Sequence, residues 1–227
     1  MEKYTGQKKI NGVYQAIINE IPICTDFYEV FAGSAQLSKI LLSICPAVNI
    51  HLNDIDSSVI DRYGFASAIC TNQHFLDLLL SIGDKDYNSS IFFLDPPYHH
   101  SSRVNNKKIY TFELSDQDHM ALFNCISSLP LKFILIHPKD CIYDNLLSSG
   151  WRYKEIKIRY NKKTSIERIY CNYKVPDRLL TYRFLGENFT QRQRILRKCS
   201  RFSQKLLSLP VQERNAVISH INSLFNH

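Results

Sequence analysis

What the sequence lacks narrows its class first. No run of apolar residues approaches the roughly 20 needed to cross a bilayer, and the opening Met1-Glu2-Lys3-Tyr4 leads into no signal-like apolar stretch. The expectation is a soluble, cytoplasmic protein with no membrane partner. The 7 cysteines fall singly, with no Cys-x-x-Cys pair, so their spacing suggests neither a zinc site nor a disulfide framework. They read as buried thiols in a reducing compartment. The 8 histidines are equally dispersed, and the adjacent His99-His100 lacks the ligand set a metal site needs. Metal-independent chemistry is expected. Internal repeats and low-complexity tracts are also absent.

What is there suffices for a sizeable core: 227 residues, 44% hydrophobic, with 13 Tyr and 13 Phe, fit one compact domain with an appendage. The formal net charge of +7 is unevenly spread. Residues 1–150 carry 11 basic against 16 acidic side chains, net −5; residues 151–227 carry 17 against 5, net +12. Basic clusters such as Lys154-Glu155-Ile156-Lys157-Ile158-Arg159 and Arg192-Gln193-Arg194-Ile195-Leu196-Arg197-Lys198 suit a polyphosphate partner. A solvated helix face is the plainer alternative, but the bias fills the whole last third of the chain, which favours nucleic acid.

Helical and strand-like segments alternate, the pattern of an α/β fold with a mostly parallel sheet. Strands are predicted at Phe27–Phe31, Val48–Asn53, Ser67–Cys70, Ile91–Leu94, Lys132–His137, Arg152–Arg159 and Glu167–Tyr173, the first five being short apolar runs suited to buried strands. Helices are predicted at Ile10–Glu20, Ala35–Ser43, Phe75–Ser81, Asp116–Ser128 with Ser115 as N-cap, and Tyr143–Ser148. Arg159–Thr164 reads as the turn of a closing hairpin. Past Pro176 two helices are predicted, Gln191–Leu207 capped by Thr190 and Val211–Leu224 begun by Pro210. The expected organisation is a catalytic domain over residues 1–175 and a basic helical extension over 176–227.

Three elements carry chemistry. Phe31-Ala32-Gly33-Ser34-Ala35 puts small residues between the first strand and a helix, where backbone can approach a ligand and free amides face it; any α/β protein needs such a turn, so alone this is weak. Asp54 follows about twenty residues past Gly33, the spacing at which nucleoside-binding folds set an acid against ribose hydroxyls; the competing reading is a turn residue, with Asp56 or Ser57 capping the next helix. The sharpest element is Asp95-Pro96-Pro97-Tyr98, delivered by the buried run Ile91-Phe92-Phe93-Leu94. Two prolines fix φ and donate no hydrogen bonds, leaving carbonyls rigidly aimed. Asp95 and the Pro96 carbonyl could accept both hydrogens of an exocyclic base amine, favouring its pyramidal, nucleophilic form. Tyr98 would stack on a base flipped out of its duplex. A proline-stiffened turn is the plain reading, weakened by two nucleoside-binding elements preceding it in order.

These residues together resemble the Dam-type class of N(6)-adenine-specific DNA methyltransferases, especially its small phage-like members. Tyr4-Thr5-Gly6-Gln7-Lys8 resembles the family's opening Tyr-Pro-Gly-Gly-Lys, which implies that Tyr4 and Lys8 help enclose the methionine end of S-adenosylmethionine. Phe31, Ala32, Gly33 and Ser34 match the cofactor loop, Asp54 the ribose-binding acid, and Asp95-Pro96-Pro97-Tyr98 is the catalytic motif unchanged, Asp95 also lying against the cofactor. Glu167-Arg168-Ile169-Tyr170-Cys171-Asn172-Tyr173 resembles the closing strand. The resemblance implies a Rossmann-like methyltransferase fold, a seven-stranded, mostly parallel sheet whose last strand is antiparallel, with S-adenosylmethionine as cofactor and DNA, expected as duplex, as partner. The implied activity is site-specific methylation of the adenine 6-amino group with base flipping, as used in restriction-modification, phage protection or epigenetic marking.

Departures bear on particular residues. Gln7 stands where the family has a second glycine. Ala35 replaces a glycine of the cofactor loop, a change that needs a negative φ. His74-Phe75 stands where the family has Asp-Phe; Phe75 is expected to pack on the cofactor's adenine, while His74 does not supply the carboxylate. About sixty residues separate Gly33 from Asp95, leaving no room for the family's recognition insertion. DNA contacts are therefore expected from the loop His99–Tyr110, the hairpin and the C-terminal helices, with Arg103, Lys107, Lys108, Lys162 and Lys163 on phosphates. Alternatives are methylation of adenine in RNA, cytosine 4-amino methylation, a nucleic-acid-binding member without activity, and a dinucleotide oxidoreductase, to which Asp-Pro-Pro-Tyr offers nothing.

Overall fold

The computed structural model describes residues 12–62, 67–82, 88–99, 111–139, 141–160 and 163–225. In chain order these form α1 (Val13–Ile18), β1 (Asp26–Glu29), α2 (Gln36–Ile44), β2 (Asn49–Asn53), α3 (Ser57–Asp61), β3 (Ala68–Thr71), α4 (Phe75–Ile82), β4 (Ser90–Leu94), α5 (Asp116–Ser128), β5 (Lys132–Pro138), a 3₁₀ helix (Ile142–Ser149), β6 (Arg152–Tyr160), β7 (Lys163–Cys171), α6 (Phe189–Leu207) and α7 (Val211–Phe225). Seven strands make one sheet in the order β3-β2-β1-β4-β5-β7-β6. All neighbours from β3 to β5 pair in parallel, whereas β7 runs antiparallel to both β5 and β6. The last strand alone is reversed, as expected.

Burial explains the sheet's centre. Every residue of β4 is buried, the continuous apolar run that a strand covered on both faces requires. Phe92, Phe133 and Leu135 join Phe75 and Leu79 of α4 and Leu122 of α5 in one core cluster; each such side chain contributes about 1.5–3 kcal/mol on burial. The expectation of a buried third strand does not hold. β3 is the sheet's end strand, and Ile69 is 57% exposed, because an end strand has a neighbour on one side only.

Most other differences lie at element ends, where hydrogen bonding overrides composition. β1 stops at Glu29, although the Val30 N–H still donates to the Phe93 carbonyl at 3.0 Å. The predicted turn Arg159–Thr164 is mostly strand, since Tyr160 pairs with Lys163 across positions 161–162, and β7 begins correspondingly early and ends at Cys171 rather than Tyr173. α1 spans Val13–Ile18, started by Gly12 at φ 112°. Ser115 caps α5 in a reciprocal box with Asp118. Thr190 does not cap α6: Asn188 does, accepting the Gln191 N–H at 2.9 Å, so the helix starts two residues earlier, at Phe189. Pro210 sits just before α7, its carbonyl accepting the Arg214 N–H at 2.9 Å. The segment Tyr143–Ser148 is 3₁₀, not α.

The chain divides into two compact units, one up to Tyr182 and one from Arg183. Leu179 bridges to Pro22, and the Leu180 N–H donates to the Ile21 carbonyl at 2.9 Å, which ties this stretch to the first unit. The second unit contains α6 and α7, and no residue of α6 is buried.

Candidate active site

The sheet order makes β1 and β4 parallel neighbours whose onward connections run to opposite sides, β1 to β2 and β4 to β5. Beyond the carboxyl ends of such a pair an open α/β sheet leaves a crevice. The two sharpest motifs leave from these two ends: Phe31–Ala35 follows β1 and Asp95–Tyr98 follows β4.

The loop after β1 is held from beneath by β2. The Ala32 N–H donates to the Asn53 carbonyl at 2.9 Å, and the Gly33 N–H to Asp54 Oδ2 at 2.8 Å. Gly33 has φ 49°, a left-handed conformation for which it is suited. Ala35 has φ 48° and is the N-cap of α2. The negative φ under which alanine would replace glycine here without strain is not realised, because the chain turns through two left-handed residues to enter the helix. Lys39 Nζ donates to the Ser34 carbonyl at 2.8 Å.

Two carboxyl groups, Glu29 and Asp54, organise this end. Glu29, the last residue of β1, is 5% exposed and accepts from both the N–H and the hydroxyl of Ser38 in α2. Burial pushes its carboxyl up to about 8, against the lowering by those two bonds; the nearby charge of Asp95 adds to the rise. Asp54 accepts from Gly33 through Oδ2 and from the Asp56 N–H through Oδ1 at 3.0 Å. Its carboxyl is likewise raised, by burial first. It thus makes the turn at the end of β2 and also grips the candidate cofactor loop; Asp56 in turn caps α3.

Asn53 is the knot under this region. Its Nδ2 donates to the carbonyls of Val30 and Gln73, at 3.1 and 3.0 Å. Its Oδ1 accepts from the Gln73 N–H and the Thr71 hydroxyl, at 3.0 and 2.9 Å. One buried amide therefore joins the ends of β1, β2 and β3. Beyond β3, Phe75 is 3% exposed with its ring 5.4 Å from Phe31, and the His74 ring lies 4.4 Å from that of Phe75. His74 Nδ1 accepts the Leu76 N–H at 3.4 Å, and the ring lies near the Asp118 carboxylate.

On the other side of the crevice Asp95 is half-buried and Pro96 buried. The Tyr98 hydroxyl donates to Glu167 of β7. His137 of β5 meets the Tyr98 ring edge-on at 5.4 Å and, through Nε2, accepts the His99 N–H at 3.2 Å. Behind them the buried His119 is bonded through Nδ1 to the Tyr143 hydroxyl at 2.8 Å. His99 pairs with Asp116 at 3.1 Å. Glu29, Glu167, His119 and His137 were not singled out by sequence reasoning. An acid inside the apolar run Phe27–Phe31, four residues before Gly33, is a signal for Glu29; Glu167 and His137 sit in strands with nothing local to mark them.

Among the predicted site residues the structure brings together Phe31, Ala32, Gly33, Ser34, Asp54 and Phe75 around one set of strand ends, and Asp95, Pro96, Pro97 and Tyr98 at the neighbouring end. Tyr4, Lys8, Arg103, Lys107, Lys108 and Lys162 lie outside the described residues. Lys163 begins β7. Among the described residues no group of three or more His, Cys, Asp or Glu could hold a metal ion, and no helix is long and apolar enough to cross a membrane.

Comparisons with known proteins bear on this geometry unevenly. No curated protein matches the sequence. Solved structures of similar shape include M. capricolum TrmK in complex with S-adenosylhomocysteine, at 13% identity, 94% of this chain and 95% of that one, with a TM-score of 0.48. Human methyltransferase-like protein 13, also with S-adenosylhomocysteine, is 17% identical over 82% and 87% of the two chains, with a TM-score of 0.46. These are too distant to carry argument about the site. The family model is closer to it: residues 70–164, from the end of β3 into β7 and including Asp95–Tyr98, match D12 class N6 adenine-specific DNA methyltransferase.

Proposed function

We propose that this protein transfers a methyl group from S-adenosylmethionine to the 6-amino group of adenine in DNA, by a base-flipping mechanism. The observation that carries the reading is the placement of a left-handed small-residue loop and an Asp-Pro-Pro-Tyr turn at neighbouring strand ends, where the sheet order reverses. The family match over the Asp-Pro-Pro-Tyr segment supports it.

The residues present fit the cofactor on chemical grounds. Burial first, and the nearby charge of Asp95 to a smaller degree, hold the proton on Glu29, and a cationic group bound near both carboxyls would favour their ionised forms. Ala32, Gly33 and Ser34 allow close approach of backbone, Asp54 offers a carboxylate at the ribose position, and Phe31 and Phe75 give an aromatic wall; Tyr4 and Lys8 would close the methionine end. Bound there, S-adenosylmethionine would supply a sulfonium methyl, for which the adenine amine is the direct acceptor without an enzyme-bound intermediate. Asp95 accepts one amine hydrogen and the Pro96 carbonyl the other, holding the nitrogen pyramidal. Pro97 fixes the turn, and Tyr98 stacks on the base. The amine proton leaves to solvent.

The nucleic-acid partner is supported by charge. α6 carries Arg192, Arg194, Arg197, Lys198, Arg201 and Lys205 and no acid. Several of these are three or four apart, a spacing that costs a helix a few tenths of a kcal/mol per like-charged pair and that phosphates would offset. Arg103, Lys107, Lys108, Lys162 and Lys163 are proposed to make further phosphate contacts. Neutralising them should reduce the steepness with which binding falls with salt, by about 0.9 in log–log slope per lost contact; an unchanged slope removes that assignment.

The deciding experiment incubates the protein with labelled S-adenosylmethionine and either mixed-sequence duplex DNA or structured RNA, followed by nucleoside analysis. N(6)-methyladenine in DNA is expected. Label in RNA alone moves the acceptor, and label in neither, with cofactor bound, leaves a binding protein.

A further inference from the structure

We propose that Glu167 is a positioning residue for Tyr98, holding its ring ready before the acceptor base arrives; this rests on the reading of Tyr98 as the stacking platform. The topology brings the two together across 69 positions of sequence. Parallel strands β4 and β5 end on the same side of the sheet, whereas β7, being antiparallel, begins there. Glu167 lies opposite Pro138, the last residue of β5, and so beside the turn that leaves β4. There its Oε1 accepts the Tyr98 hydroxyl.

Glu167 is 1% exposed, on a strand with neighbours on both sides. A buried carboxyl group is costly unless hydrogen-bonded, and an apolar side chain of similar size would pack there without that cost. The Tyr98 hydroxyl is one return on that cost. The same ring is met at its edge by His137, 5.4 Å away, and the next residue is fixed by the His99 N–H on His137 Nε2 at 3.2 Å. Tyr98 is thereby restrained at its tip, at its ring edge and through the following backbone. Fixing an aromatic platform in advance removes an ordering cost from the bound state and favours a reactive alignment. A merely structural bond would tie β7 to the turn without affecting turnover at saturation.

The test compares Tyr98→Phe, Glu167→Gln, Glu167→Met and the double variant Tyr98→Phe/Glu167→Met. Turnover is measured with labelled S-adenosylmethionine on mixed-sequence duplex DNA, and cofactor affinity by equilibrium dialysis. Glu167→Gln keeps an acceptor and should stay within about threefold of wild type, while Glu167→Met and Tyr98→Phe should each lower kcat by about 10- to 50-fold with cofactor Kd unchanged. The double variant should be no slower than the slower single variant, since both remove one bond. Multiplying losses, Glu167→Gln as slow as Glu167→Met, or full turnover in Glu167→Met overturn the proposal. Should Glu167→Met fail to fold, Tyr98→Phe leaves β7 intact, and its full activity overturns it equally. Absence of transfer by the wild-type protein would instead sink the functional reading beneath it.

Discussion

The two banks of the crevice are built by opposite means. On the bank formed by β1, β2 and β3, backbone amides and short polar side chains interlock: Asn53 joins three strand ends and Asp54 holds Gly33. On the bank formed by β4, β5 and β7, rings and long side chains converge, with Tyr98 on Glu167 and against His137. The first arrangement fixes a backbone cradle, which suits a ligand recognised through its outline. The second fixes the face of a ring, which suits a flat partner that must enter and leave. Substitutions on the first bank should therefore tell mainly in stability and cofactor affinity, and those on the second in turnover.

The sharpest break of that comparison is Asp95→Ala. It removes the proposed acceptor for the amine and no core packing, so methyl transfer should fall by at least about 100-fold, while cofactor affinity measured by dialysis should change by only a few fold, because Glu29 and the backbone of the Phe31–Ala35 loop stay in place. Equal loss of affinity would move Asp95 to the other bank. Asn53→Ala should do the reverse. It leaves the part-buried Gln73 N–H and the buried Val30 carbonyl without their side-chain partner and should destabilise the fold by about 1–3 kcal/mol in urea unfolding. A change under about 0.5 kcal/mol would mean the strand ends do not depend on it.

The contrast also explains what was legible in the sequence. The sheet was readable because Ile91–Leu94 and Lys132–His137 are apolar runs, and the proposed catalytic turn because Asp-Pro-Pro-Tyr is local. Local signals failed where a residue's surroundings come from far along the chain. Glu167 is ordinary in sequence and becomes part of the second bank only through the antiparallel register with Pro138. Ser67–Cys70 reads like the other apolar strands, yet edge position exposes it. Thr190 and Asn188 are both good caps, and the bond to Gln191 decides between them.

Glu29 tests whether the first bank buries a carboxyl that keeps its proton beyond the ordinary carboxylate range. Burial raises its carboxyl from 4.5 to about 8, so between those values the folded protein holds a proton that the unfolded chain has released. Folded-state proton uptake stabilises at low pH; that stabilisation is full below about 4.5 and is lost as pH rises through about 8. Glu29→Gln keeps the acceptor for Ser38 but cannot ionise. Relative to wild type it should gain on the order of 2–4 kcal/mol in going from pH 5 to pH 9, measured by urea unfolding at each pH. Parallel pH profiles would show that Glu29 titrates like a free carboxyl.

Ala32 and Ala35 give the finest comparison, because both are buried alanines of one loop and only Ala35 has a positive φ. Replacing a buried alanine by glycine loses a methyl, about 0.8 kcal/mol, and adds about 0.5–1 kcal/mol of chain entropy to be lost on folding. Ala32→Gly should therefore cost about 1–2 kcal/mol. At Ala35 the same losses are offset by relief of left-handed strain, roughly 1–2 kcal/mol for an L-residue, so Ala35→Gly should be nearly neutral. Matching urea midpoints for the two variants would show that the loop carries no strain at Ala35. A neutral Ala35→Gly with unchanged cofactor affinity would show instead that alanine is tolerated at this position against its own backbone preference, held by the Ala35 N–H on the Ala32 carbonyl and by the first turn of α2.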